Sequence, residues 1–491
     1  MGRSLSASIA LLHLVTIACT TVAATHYVRA GATGSATGND WHNAYPAVPT
    51  TLTRGDTFFI AAGTYGDLCL DDPGEATISL LKATGDSHGT DNGWRSEYGT
   101  GVARFSSIDC FAGNYIIDGQ SGGGPGSWFD GHGFEILFES TGFFFAEPVE
   151  NIAIRHVLVH SPSITNRGTA IKGTVGSVTN LTVSHCAVHT FEGPHFHAKG
   201  WQNVLIERNY FGHNNSTPEW HAEFWSDLGN TNIQFRHNLF ENIEGTAVFA
   251  GVNSGDSRDW SIHGNVFYRC TYLMMFCYES GSSSNKSTAT GFRIYNNTVV
   301  GPGEGTIGID RGSDNIVSNN LYYNIKEPQG YVVLRGATFK SNQFNDCDFR
   351  VTTLDATNKQ DMRGNPFKQY STEGLRHCDL SLAAPSTVQG TDLGDACQLD
   401  LTGISRGCDG YWDCGALEFD SHQSVYGTVP SLRLAGASAT GAVFQLNGRM
   451  LRVRQNAPTA ASDWAAGPAN GLLLLHRYGD KESVMPQFIM R

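Results

Sequence analysis

No stretch of this chain is apolar for long enough to span a bilayer, so a membrane protein is not expected. Basic residues are scarce. The 33 Lys and Arg stand against 46 Asp and Glu, for a net charge of -13 without a basic cluster, which argues against a nucleic acid partner. No Cys-x-x-Cys pair occurs, and with it go the usual zinc modules. His-Glu-x-x-His and the phosphate loop Gly-x4-Gly-Lys-Ser/Thr are missing as well. The 57 glycines follow no collagen period and suit the tight turns of an all-β chain.

The N-terminus reads as a secretory signal over residues 1–24. Arg3 precedes an apolar stretch, Ile9 to Ala18, and Val22-Ala-Ala24 offers the small residues of a cleavage site. A secreted, extracellular location follows as an expectation. Cys19 leaves with the signal, so ten of the 11 cysteines remain, an even number that predicts disulfides, with Cys397, Cys408 and Cys414 in one local cluster. Asn180, Asn214, Asn215, Asn285 and Asn296 lie in glycosylation sequons, the middle two overlapping.

A weak internal repeat decides the fold class. Val204-Leu-Ile-Glu-Arg-Asn-Tyr-Phe211, Ile233-Gln-Phe-Arg-His-Asn-Leu-Phe240, Trp260-Ser-Ile-His-Gly-Asn-Val-Phe267 and Phe292-Arg-Ile-Tyr-Asn-Asn-Thr-Val299 share one outline. Ile316-Val-Ser-Asn-Asn-Leu-Tyr322 follows it, as do Leu181 to Val188 and Ile152 to Val159 upstream. The first Asn of each motif falls at Asn209, Asn238, Asn265, Asn296 and Asn319, in steps of 29, 27, 31 and 23 residues. Short alternating strands divided by Gly, Asn and Asp turns cannot bury their apolar side alone, but stacked coils can. The expected architecture is therefore all-β, a right-handed parallel β-helix over residues 25–420 with an N-terminal cap, and the recurring Asn form a ladder. A propeller or sandwich is the rival, but a propeller repeat is usually longer and carries four hairpin-linked strands. Ala44 to Thr53 reads as a short capping helix, because an open β-edge at the first coil invites aggregation. Residues 421–491 form an extension of unassigned structure.

Two features resemble a known group. One is Gly55-Asp-Thr-Phe-Phe-Ile-Ala-Ala-Gly-Thr-Tyr65 after an opening strand; the other is the set of Asn-x-Phe rungs closed by Trp412-Asp-Cys-Gly-Ala-Leu-Glu-Phe419. Together they resemble the parallel β-helix enzymes that include pectate-lyase-like, chondroitinase-B-like and alginate-lyase-like proteins. The resemblance covers roughly residues 25 to 420 and implies an extracellular enzyme acting on a polysaccharide. Members of the group differ in reaction, so the fold alone does not choose one.

The candidate site comes from a register argument. His195-Phe-His-Ala-Lys199, His221-Ala-Glu-Phe-Trp225, Ala247 to Gly251, Leu273 to Cys277 and Ile307 to Arg311 follow successive turns. With Phe196, Ala222, Phe224, Val248, Ala250, Met274 and Phe276 inward, the outward set holds His195, His197, Lys199, His221, Glu223 and Trp225. His197 then lies beside Glu223, His195 beside His221, and Lys199 beside Trp225. His197 or His221 is the expected base, Lys199 the neutraliser of a uronate carboxylate, and Glu223 the acid or the group that orients a histidine. Trp225 suits stacking on a sugar ring; His195, Asp227, Asn253, Glu279, Asp310 and Arg311 join as substrate-binding candidates. This set predicts β-elimination in a uronic-acid-containing glycan. Two alternatives stay open: a glycoside hydrolase pairing Glu223 with Asp227, Glu279 or Asp310, and a non-catalytic carbohydrate-binding solenoid. The sequence assigns no metal, although a calcium ion held by Asp and Asn is compatible with it. Polysaccharide is the expected partner of a monomeric protein.

Overall fold

The computed structural model describes residues 23–419, apart from 174–177, 218–221, 252–254, 278–286, 328–329 and 351, together with four short strands between 443 and 489. The expected signal thus lies almost wholly outside the described residues. Each coil supplies short strands whose alternate side chains turn inward. Val204 and Ile206 are buried, for example, while Leu205 and Glu207 face out. Successive coils pair in parallel and nearly in register, Val204 with Ile233 and Ile206 with Phe235. The result is the right-handed parallel β-helix that the repeat predicts.

Three faces build the solenoid. Face A runs from Thr25–Val28 through Val149–Arg155, Val178–Ser184 and Gln202–Glu207 to Thr338–Lys340. Face B runs from Phe134–Leu137 through Val157–His160, Ala187–Glu192 and Tyr210–Asn215 to Gln343–Asn345. Face C runs from Thr141–Phe145 through Thr169–Gly173, Phe196–Lys199 and Trp225–Leu228 to Leu334–Arg335. Two long early strands, Gly63–Leu70 and Ala103–Cys110, pair with each other, and the second continues onto both B and C. Like stacks on like inside: Phe211, Phe240 and Phe267 lie ring over ring at 5.4 and 4.6 Å, and Trp260 covers Phe292 at 5.1 Å.

The Asn ladder sits at the corner between faces A and B. It comprises Asn209, Asn238, Asn265, Asn297, Asn320, Asn342 and Asn358. Asn238 Nδ2 donates to Ile206 O at 2.9 Å and to Asn265 Oδ1 at 3.0 Å, and its own Oδ1 accepts from Asn209 N at 3.0 Å. In the Asn-Asn pairs the second residue is therefore the rung, not Asn296 or Asn319 as the repeat suggested. The residue before each rung from Asn209 to Asn342 is left-handed, with φ of 54° at Arg208, 48° at Asn296 and 58° at Asn319. Asn tolerates that conformation, so it occupies both places. A second ladder, exposed and absent from the sequence reading, joins Asn114, Asn151, Asn180, Asn203 and Asn232 on the outside of face A.

Several expectations change here. Ala44 to Thr53 is not helical; the first edge is instead covered by an irregular loop. Tyr27 donates to Gly38 O, and Tyr45 and Tyr27 join Arg29 in backbone bonds of 2.8 Å that continue the edge. Leu52 plugs the end of the core, and Trp41 is fully buried against Tyr27. No disulfide joins any described cysteine. Cys414 is turned under the chain toward Ser341 O at 3.1 Å, and Cys408 is at the surface. Asn214 and Asn296 are buried, at 2% and 1% exposure, and so are poorly placed as sugar acceptors. Asn180 is exposed, Asn215 is half-buried, and Asn285 lies outside the described residues.

The segment from Phe367 to Leu417 forms a strap across the outside of face B. Leu375, Leu380, Leu401 and Leu417 pack on outward Tyr210, Leu239, Val266 and Leu321 as a second apolar layer. Asn296 and Asn319, freed from the ladder, bind it: Asn296 donates to Asp413 O at 3.0 Å, and Asn319 donates to Thr391 O at 2.8 Å. The strap encloses an Arg406–Glu418 pair at 3.0 Å, both side chains 1% exposed. Face B is thereby closed, and among the described residues no comparable apolar layer packs on face C. In the chain after 420, Val443–Gln445, Met450–Leu451, Leu472–Leu474 and Phe488–Ile489 pair antiparallel.

The two ladders should differ in energetic weight. Asn238→Ala leaves the buried Asn209 N–H without its acceptor and should destabilise by about 1–3 kcal/mol, whereas Asn203→Ala in the exposed ladder should cost far less. Denaturant unfolding of the two variants makes the comparison; equal losses would contradict it.

Candidate functional site

Strand alternation leaves one outward column along face C. In register order it contains Asp109, Phe144, Lys172, His197, Ser226, Ala250, Met275, Gly308 and Arg335. Lys172 and His197 therefore stand on adjacent rungs, separated by about 4.8 Å, the spacing of paired strands. The Lys172 ammonium lies 5.9 Å from the centre of the Phe144 ring, which puts a cation above an aromatic face. His197 is half-buried. Burial, and next the Lys172 charge, push its imidazole below the usual histidine value, while Glu223 pulls the other way. It is uncharged at neutral pH and able to accept a proton. Lys199, two residues on, is exposed.

This register differs from the sequence expectation by three residues. Phe196 pairs with Trp225, His197 with Ser226 and Lys199 with Leu228, so neither His197–Glu223 nor Lys199–Trp225 is a cross-strand pair. The inward set is Trp225, Asp227, Phe249, Met274 and Phe276. Phe224 and Trp225 are consecutive and both fully buried, because the chain turns the corner into face C between them, and alternation miscounts there.

Trp225 is consequently not a sugar platform. It stacks on Phe196 at 5.2 Å and meets Trp201, Phe235 and Trp260 edge-on. Asp227 is also interior, 3% exposed, and accepts bonds from Trp225 Nε1 and Gly229 N at 3.2 Å and from Asn230 Nδ2 and Ser257 Oγ. Burial raises its pKa against those bonds. It ties the corner between faces C and A and is out of reach of a groove ligand. His195 is fully buried among Phe191, Phe211 and Phe224, and burial pushes its pKa down to about 3, as expected of a neutral core histidine.

Glu223 is 5% exposed, and its backbone carbonyl accepts from His195 N at 3.2 Å. Asp310 and Arg311 lie further along the same face, the former paired with Arg335 at 2.7 Å and the latter bonded to Ser287 O at 3.1 Å. His221, Asn253 and Glu279 lie outside the described residues. No group of three or more His, Cys, Asp or Glu with the geometry of a metal site occurs among the described residues, so no side chains are assigned to calcium.

Lys172 is what the sequence reading missed. The signal is present: Ile171-Lys-Gly173 has the alternation of Phe196-His-Ala198, with which it pairs one coil on. Phe143, Phe144 and Phe145 likewise divide, the outer two inward and Phe144 in the column.

No protein-family model matches the chain, and no curated protein is similar to it in sequence. Among solved structures, the fold is similar to that of pectate lyase Pel9A, with a TM-score of 0.50 and 13% identity over 82% of this chain and 97% of that one. A PL6-family alginate lyase, AlyGC, aligns with a TM-score of 0.34 and 13% identity over 69% of this chain and 53% of its own. At such identity the likeness to Pel9A establishes the parallel β-helix and leaves the chemistry to the residues on face C.

Replacing Trp225 should act on stability. Trp225→Ala removes a fully enclosed indole and should cost about 3–5 kcal/mol, read as a lowered melting temperature, whereas Lys199→Ala should leave melting unchanged. A Trp225→Ala protein with wild-type melting would place the indole outside the core. The buried His195, with its folded pKa below its unfolded one, adds stability above about pH 6.5 that is lost as pH falls toward 3. Melting temperature should therefore decline across that interval.

Proposed function

We propose that the chain is a secreted, extracellular enzyme that cleaves a uronic-acid-containing polysaccharide by β-elimination. The observation that carries this reading is the Lys172–His197 pair, an ammonium and an uncharged imidazole side by side on the outer surface of face C. The likeness to a pectate lyase fold is consistent with it and adds no residue assignment.

The chemistry follows from the two charges. Lys172 binds the uronate carboxylate and offsets the negative charge that grows on it when the adjacent carbon loses its proton. Neutral His197 takes that proton from C5. The electron pair forms the C4=C5 double bond as the bond from C4 to the glycosidic oxygen breaks. The departing oxygen takes up a proton, from water or from the imidazolium just formed. Products are a reducing end and an unsaturated uronate end. Glu223 bears on His197 through its charge, raising the basicity that burial and Lys172 lower. Lys199 at the exposed edge of the rung suits a second carboxylate. The hydrolase alternative loses two of its carboxylates, because Asp227 faces the interior and Asp310 is held by Arg335.

The protein should release unsaturated ends, seen by ultraviolet absorbance, from at least one polymer in a panel of uronic-acid glycans. Reducing ends without that absorbance would overturn elimination, and binding without either product would point to a carbohydrate-binding solenoid. His197→Ala and Lys172→Ala should each lower kcat at least about a hundredfold with melting unchanged. The acid limb of the rate profile should fall below about pH 6.5. Lys172→Ala should move that limb up in pH and Glu223→Gln should move it down, since the two charges act on the imidazole with opposite sign; shifts in the reverse sense would remove His197 as the base.

A further inference from the structure

We propose that Arg335 is a distal anchor of the same groove, holding the carboxylate of a uronate residue four places along the glycan from the residue at His197. This rests on the elimination reading above and adds a substrate length and a charge pattern to it.

The argument begins with spacing. His197, Ser226, Ala250, Met275 and Gly308 are successive members of one column, and Arg335 follows Gly308. Rungs lie about 4.8 Å apart, close to the advance per residue of an extended glycan. A chain laid along the column thus meets one rung per sugar. The Gly308 rung is about 19 Å from His197, four such spacings.

What stands between the two ends matters equally. Ser226, Ala250 and Met275 present a hydroxyl, a methyl and a thioether, so the column carries no fixed charge at these three positions. Gly308 has no side chain, and a Cβ there would come within 3.0 Å of Arg335 Nη2. The Arg335 guanidinium accordingly folds back over the Gly308 rung, toward His197. Its Nε is held by Asp310 at 2.7 Å, which fixes the plane and leaves the two terminal nitrogens for another acceptor. The Arg335 side chain is 42% exposed, so an incoming carboxylate can reach it.

An ammonium at one end and the free edge of a guanidinium at the other, with no charged column residue between them, select a polymer with carboxylates at both positions and at least five residues of contact. It disfavours disaccharides and other short oligomers.

The test is the dependence of KM on length in a series of oligouronides of the sugar that the wild type cleaves. Wild-type KM should drop sharply on extension to five residues. Arg335→Ala should abolish the drop, raising KM tenfold or more for pentamers and longer, with kcat and the trimer KM unchanged and melting temperature preserved. Arg335→Lys should restore part of it. Gly308→Val, which lifts the guanidinium off the rung, should mimic Arg335→Ala while retaining the charge. Unchanged pentamer KM in Arg335→Ala overturns the anchor while unsaturated products still uphold elimination. Failure of the wild type to form unsaturated ends from any uronan overturns both.

Discussion

Parallel pairing of one coil with the next is the constraint on which everything else depends. Each coil satisfies its backbone through its neighbours, Val204 through Ile233 and Leu181, and not within itself. Once the spacing is fixed, equivalent positions repeat at about 4.8 Å and side chains of one kind collect into columns. The phenylalanine stack at 211, 240 and 267, the two asparagine ladders and the Lys172–His197 pair are all consequences of that translation.

The columns also explain where polarity is tolerated. An asparagine buried at a corner would be costly if its amide were unmatched. Stacked, each amide meets a carbonyl of the preceding coil and the oxygen of the next amide, so Asn238 and Asn265 remain fully enclosed. Asp227 obeys the same rule at another corner with four donors. Where the pattern doubles, as at Asn296 and Asn319, the extra side chain is used to fasten the strap.

The strap distinguishes the faces. Face B presents outward Tyr210, Leu239, Val266 and Leu321, an apolar strip that needs cover and receives it from Phe367 to Leu417. Face C presents Lys172 and His197, then Ser226, and carries no comparable layer among the described residues. The outer column of face C is therefore set apart as much by the hydrophobic layer that closes the neighbouring face as by its own residues. Within it, partial burial keeps an imidazole neutral beside an ammonium, an arrangement that repulsion alone would favour and water would weaken.

The sequence by itself determined the solenoid. Periodic Val, Ile and Phe separated by turn residues admit one economical way to bury the apolar side, and the Asn rhythm marks its corner. It also placed His197, Lys199 and Glu223 in the neighbourhood of face C. It did not determine register across the 216–224 connection, where insertion length varies and two adjacent aromatics, Phe224 and Trp225, both enter the core. A strand's outward set depends on parity, and parity is lost wherever a loop of unknown shape intervenes. That is why Trp225, Asp227 and His195 read as groove residues yet lie inside. Lys172 was legible in its alternation with Ile171 and Gly173, but only pairing with His197 across coils gave it meaning. Tertiary structure decided which columns face solvent and which are covered, because that depends on a strap distant in sequence.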